Sequence, residues 1–273
     1  MREVKGPTAT GGGLRRFFQL LYLIALTDFK KTYFDTALGY LWSLVRPLLL
    51  FGVLLLVFTQ IFRIGSEVEN YPVLLLFNIV IFSFFQESTM ASVTSVVSQE
   101  GVVRKTQFPR LVIPLATVLT GLFNLGLNLI AVFVFLLAFG VDPTWTWLLF
   151  PLVVLALLIL ISAISMILSS LYVRFRDVLI IWSVIATTLF YATPVLYPIE
   201  IVPENLRDLI LANPLSPIFE QARTWVIDPS APGAVEAAGG WLGLVVPALI
   251  YLTVCLLALW IFRREAPRIA EEL

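Results

Sequence analysis

Glu87 is the only acid well inside a long apolar run, and it stands in a polar stretch that includes Ser83, Gln86, Ser88, Thr89, Ser92, Thr94 and Ser95. A carboxylate among apolar residues is costly in lipid and calls for a partner or a wet surface. Two readings stand: a helix-packing hydrogen bond, or one wall of a polar conduit. Arg46 is a possible ion partner on another apolar run. Covalent chemistry finds little support. The chain has no histidine, which removes Ser-His-Asp and Cys-His catalysis, HExxH zinc sites and imidazole relays. Its single cysteine, Cys255, can form neither an internal disulfide nor a CxxC metal site, and no metal site is expected. Gly6 and Gly11 have the spacing that opens a phosphate-binding loop, but Gly12 and Gly13 stand where Lys and Ser/Thr are required. The chain is therefore expected to bind no ATP of its own in that manner and to be no enzyme.

The elements that carry these residues are dictated by solvent. Charged residues make up 13% of the chain against about 25% in soluble domains, so a water-facing surface cannot be covered. With 59% hydrophobic residues and a mean hydropathy of +0.95, lipid is the expected solvent. A spanning helix needs about 20 apolar residues, and about six runs qualify: 40–62, 72–97, 111–139, 147–171, 178–197 and 241–262. The fold class is an all-α integral membrane protein. Residues 1–13 form a cytoplasmic tail, 14–36 a helix lying in the inner interface, and 37–273 the six-span domain. With the N-terminus in the cytoplasm, about fifteen of the 18 Lys and Arg lie inside or at the inner boundary. Only Arg63, Arg207 and Arg223 fall outside, and the even span count returns the C-terminus to the cytoplasm. Balanced charge, 18 basic against 18 acidic, suggests no nucleic-acid partner.

In the interfacial segment, Leu14, Phe17, Phe18, Leu21, Ile24, Ala25 and Phe29 share one face, while Arg15, Arg16, Lys30 and Lys31 mark the other. Arg15-Arg16 before an apolar stretch also resembles a twin-arginine signal, but no small-residue cleavage motif follows. The loop 198–240 carries two short amphipathic helices. Pro203 opens one and Asn213-Pro214 ends it, then Ser216-Pro217 reads as N-cap and first helical position of another that runs to about Val226. A re-entrant or interfacial hairpin is expected, with an ordinary surface loop as the alternative. Phe51, Phe58 and Phe62 share a face of the first span, as do Phe77 and Phe84 of the second. Such stripes are packing or lipid contacts, or else one wall of a conduit.

Several motifs, in order along nearly the whole chain, carry a resemblance. They are Leu38-Gly39-Tyr40-Leu41-Trp42-Ser43 with Arg46-Pro47, and Lys105-Thr106-Gln107-Phe108-Pro109-Arg110 running into Leu111-Val112-Ile113-Pro114. Phe175-Arg176-Asp177, Ala192-Thr193-Pro194-Val195-Leu196-Tyr197-Pro198 and Asn213-Pro214-Leu215 follow. Together these resemble the ABC-2 type permeases that export lipid-linked polysaccharide: O-antigen, capsule, teichoic acid or galactan. The resemblance implies a homodimer with two copies of a separate ATPase subunit, which would bind the ATP and Mg. The N-terminal helix and the segment holding Gln99, Glu100, Val103, Arg104, Lys105, Phe108 and Arg110 would dock that subunit. The outer hairpin, with Pro194, Tyr197, Pro203, Asn213, Pro214 and Pro217, would gate the exit. Membrane lipids and a lipid-linked glycan would be the remaining partners. Arg46 stands where the family more often has asparagine, which leaves its role open. Alternatives are an ABC-2 exporter of a drug or small lipid, or, in another class, a membrane glycosyl- or acyltransferase. The latter would need acidic metal-binding or histidine-containing loops, which are not seen.

Overall fold

The structure, a computed structural model, describes residues 13–34, 39, 41–61, 70–99, 101 and 110–265. Among these there are helices and turns and no strand. The helices are α1 (Leu14–Phe34), α2 (Leu41–Leu56, continued by a wider π turn, Val57–Ile61), α3 (Tyr71–Ser98) and α4 (Val112–Ala138). They continue with α5 (Phe150–Arg174), α6 (Val178–Ala192), α7 (Glu204–Ala212), α8 (Leu215–Val226), α9 (Ala234–Ala237) and α10 (Val245–Glu265). Five stretches are long and apolar enough to cross a membrane: Leu41–Ile61, Tyr71–Ser98, Val112–Ala138, Trp145–Arg174 and Val245–Arg264. The sixth expected span is the shorter helix Val178–Ala192.

The central element is α3. Its apolar and polar residues are spread around the helix with no amphipathic direction, so nothing in its pattern assigns an outward face, and most of it is buried. Its start is set by Asn70, which takes the left-handed conformation (φ 55°, ψ 30°), and by Pro72 in the first turn. Around it pack α4, α5, α2 and α6, while α10 lies on α5 and α1 on α4. Where α3 meets α4, Gly121 brings the backbones together: a Cβ there would overlap the Ser88 hydroxyl and press on the Phe84 ring.

The helix α6 stops at Ala192, short of the expected 178–197. Pro194 disfavours helical geometry at the residue before it, and Thr193 is extended (φ −107°, ψ 146°). The chain from Thr193 to Leu196 is nevertheless buried. Its carbonyls are met by side chains from α3: Asn78 Nδ2 donates to Pro194 O at 3.1 Å and to Val195 O at 3.3 Å, and the Tyr71 hydroxyl donates to Leu196 O at 2.8 Å. Asn213 closes the other end, donating to Thr193 Oγ1 at 2.8 Å.

Replacing Asn78 by leucine leaves two buried carbonyls without a donor. The expected loss is about 1–3 kcal/mol, and Tyr71→Phe should cost about 0.5–1.5 kcal/mol. Thermal unfolding of the detergent-solubilised chain measures both. If both variants melt with the wild type, the account of this segment fails.

Candidate functional site

The polar residues of α3 divide by direction. Thr89 Oγ1 accepts the Trp182 indole N–H at 3.0 Å, and its hydroxyl lies 2.8 Å from the Phe85 carbonyl. Ser92 donates to Ser88 O and Ser95 to Ser92 O, so these buried hydroxyls are satisfied within the helix. The opposite side, with Ser83, Gln86 and Glu87, lines a cleft of about 730 Å³ between α1, α2, α3 and α4. Arg46 reaches across it from α2, one residue before Pro47 interrupts that helix's hydrogen-bond ladder. Its Nη1 lies 3.3 Å from Glu87 Oε1, so the two depths match and the acid's partner is settled. Both side chains stay open to the cleft, 79% and 48% exposed. Ser88 Oγ and Asn128 Oδ1 also line the cleft, and both are buried with no hydrogen-bond partner.

The floor of the cleft joins α1 to α4. The Tyr33 hydroxyl donates to Asn124 Oδ1 at 2.8 Å, Thr120 Oγ1 lies 3.1 Å from Ala25 O, and Phe123 sits edge-on between Tyr22 and Phe29. The expected amphipathic helix is present, but Phe17, Ala25 and Tyr33 are buried in the protein. Leu14, Phe18, Tyr22 and Leu23 remain exposed apolar residues. Arg15, Arg16, Lys30 and Lys31 all point out of the bundle.

Of the proposed docking residues, Gln99 follows the last turn of α3 and Arg110 is buried at the start of α4. Glu100, Val103, Arg104, Lys105 and Phe108 lie outside the described residues, as does Phe62. Of the aromatic stripes, Phe84 lines the cleft, whereas Phe51 packs edge-on against Phe135 and Phe77 packs against Phe150 in the core. Phe58 is half-buried beside Tyr71.

At the opposite end of α3 the expected pair of helices forms, with one change at the second start. Pro203 precedes α7, and Pro214 precedes α8. Asn213 performs the capping expected of Ser216: its Oδ1 accepts the Leu215 N–H at 3.1 Å, while Ser216 donates to Ile210 O at 2.6 Å. Pro217 falls inside the first turn, and the Tyr197 hydroxyl donates to Tyr191 O at 2.8 Å. Two features of this end were missed in the sequence. Trp147, near the start of a span where a tryptophan ordinarily serves as an interfacial anchor, donates its indole N–H to Val226 O at 2.9 Å and so holds the end of α8. Arg223, almost fully buried, binds Glu200 at 2.8 Å and Glu220 at 3.5 Å, with Asp228 at 4.0 Å. Glu220 in turn accepts the Ile199 N–H at 3.2 Å. The i, i+3 spacing of Glu220 and Arg223 on α8 was the available signal.

The structure is a bundle of helices, five of them long and apolar enough to cross a membrane, around a polar cleft, with a pair of short helices at one end. The chain belongs to the ABC-2 type transporter family, which matches residues 19–226. It is similar to the O-antigen export system permease protein RfbA of Klebsiella pneumoniae, 32% identical over 200 residues, or 73% of this chain and 76% of that protein. It is also similar to the protein of the same name from Myxococcus xanthus, 34% identical over 204 residues, or 74% and 78%.

The Glu220 network makes this end of the molecule sensitive to pH. Burial pushes the Glu220 carboxyl from 4.5 up to about 7; Arg223 opposes the rise and Glu200 adds to it. A raised carboxyl value means that the folded segment keeps a proton which the unfolded one loses. That stabilisation is complete below about 4.5 and disappears as pH rises through about 7. Limited proteolysis of residues 198–240 should therefore be faster, by roughly tenfold, at about pH 8.5 than at about pH 5.5. Glu220→Gln should flatten the profile. An unchanged profile in the variant would remove Glu220 as its cause.

Proposed function

We propose that this chain is the membrane-spanning subunit of an ATP-driven exporter that moves a lipid-linked polysaccharide across the cytoplasmic membrane. The observation that carries the reading is the likeness, over 73% and 74% of the chain, to permeases named for O-antigen export. A polar cleft inside an apolar bundle suits cargo with a hydrophilic head and a lipid tail. Two copies of the chain work together, and the exposed apolar residues Leu49 and Val53 of α2 and Ile180 and Val184 of α6 offer surface for the second copy as well as for lipid. Two copies of an ATPase subunit supply hydrolysis and hold ATP and Mg. They dock below α1 and the segment 99–110, where Arg15, Arg16, Lys30, Lys31, Arg104 and Lys105 also place this end in the cytoplasm by the bias of basic residues. Both termini are then cytoplasmic, and the α7–α8 pair lies on the outer side, beside the exit, as its gate.

Affinity purification of the chain from its own cells, followed by mass spectrometry, tests the assembly. An ABC ATPase subunit and a glycolipid should co-purify, and ATP hydrolysis should appear only in the complex. Reversing Arg104 and Lys105 to glutamate should weaken recovery of the ATPase, or the export driven by it, by about tenfold. Full assembly and full export in that double variant would reject the docking role. A preparation with neither ATPase nor glycolipid would reject the exporter.

A further inference from the structure

We propose that the cleft between α1, α2, α3 and α4 is a sugar site, built for an uncharged, hydroxyl-rich ring and not for a phosphate group. The inference rests on the export reading only for the source of that ring, the head of a lipid-linked glycan.

Charge is the first argument. Among the described residues, Arg46 and Glu87 are the only ionised side chains lining the cleft, and they pair at 3.3 Å. A phosphate would have to share one cation with a carboxylate already bound to it, and like charges so placed repel by several kcal/mol. A neutral ligand leaves the pair intact and binds its free edges.

Hydrogen-bond polarity is the second. The groups waiting for partners include acceptors: the Asn128 Oδ1 and the remaining lone pairs of the Glu87 carboxylate. Ionised phosphate carries no proton to give them. A sugar hydroxyl both donates and accepts, so it can also serve the Ser88 hydroxyl, which is 2% exposed and unpartnered. A ligand hydroxyl that partners such a buried orphan supplies the hydrogen bond it lacks. Shape is the third. The cleft, about 730 Å³, lies within the range of small-molecule sites, roughly 300–1,000 Å³.

The test uses the full chain with its ATPase in cells that make their own glycan. Photoreactive p-benzoylphenylalanine is placed at Ala91, an exposed residue on the cleft wall, and as a control at Val134, which is exposed on α4 and does not line the cleft. After irradiation the chain is purified under denaturing conditions, hydrolysed, and its bound sugars and glycerol phosphate are counted by mass spectrometry. Sugars should be captured at Ala91 and not at Val134. Glu87→Gln should lower capture per folded chain by about tenfold, and Ser88→Ala, a smaller change that leaves the ion pair alone, by about fivefold. Glycerol phosphate without sugar at Ala91, equal sugar capture at both positions, or no adduct at Ala91 would overturn the site. Surface glycan is measured in the same cells with the gene deleted. Loss of surface glycan with no capture rejects the cleft and keeps the exporter; sugar capture with surface glycan unchanged keeps the cleft and rejects the exporter.

Discussion

In lipid no water is at hand for a bare carbonyl, so every departure from helix inside the bundle must be met by a side chain. The extended run from Thr193 to Leu196 is such a departure. Asn78 and Tyr71 on the central helix, and Asn213 from the loop beyond, supply the donors. With those bonds made, α6 can end at Ala192 and the chain can turn into α7 and α8 at one end of the bundle. Trp147 then fastens α8 to the start of α5, and Arg223 ties it to the short turn Ile199–Ile201 through Glu200. Helices α7 and α8 are thus tied to α3, and a movement of α3 would reach them through the same hydrogen bonds.

The same helix serves two solvents. Its buried hydroxyls at Thr89, Ser92 and Ser95 bond back to the helix, which lets them face packed neighbours at little cost. Its other polar side meets α2 and α4 across a cleft. There the acid is balanced by Arg46, and two polar atoms are left without partners. One side of the polar stretch thus packs against neighbouring helices, and the other lines the cleft. Gly121 makes this possible by letting α4 approach where Ser88 needs room. In the exporter proposed here, α1 bridges the two ends of that mechanism, because it is bonded to α4 at Asn124 and presents its basic residues outside the bundle.

Much of this is legible in the sequence. The apolar runs locate the helices, Pro203 marks the start of α7, and a carboxylate inside an apolar run singles out Glu87 as a candidate site. What is not legible is rotation. The α3 sequence has no amphipathic direction, so periodicity cannot say that Phe77 packs against Phe150 in the core while Glu87 opens to the cleft. Nor can it say that Asn78 faces a loop 116 residues away. Arg46 and Glu87 are on separate helices, and their pairing depends on how deep each helix sits. Trp147 shows the same limit: a tryptophan near a span end reads as an anchor, and only the folded chain brings a helix C-terminus to its N–H. The twin-arginine pattern of α1 is ambiguous for a related reason, since the contacts with Phe123 and Asn124 that dock this helix come from a distant part of the chain.

The central claim is that this chain carries a lipid-linked polysaccharide across a bilayer when its partner hydrolyses ATP. The most direct measurement reconstitutes the purified chain and ATPase in sealed vesicles loaded with the lipid-linked glycan extracted from the same cells. An enzyme that cleaves the glycan, added on the side away from the ATPase, reports what has crossed. The account predicts that cleavable glycan accumulates there with ATP and not with a non-hydrolysable analogue. Vesicles in which ATP is hydrolysed while the glycan stays protected would contradict it.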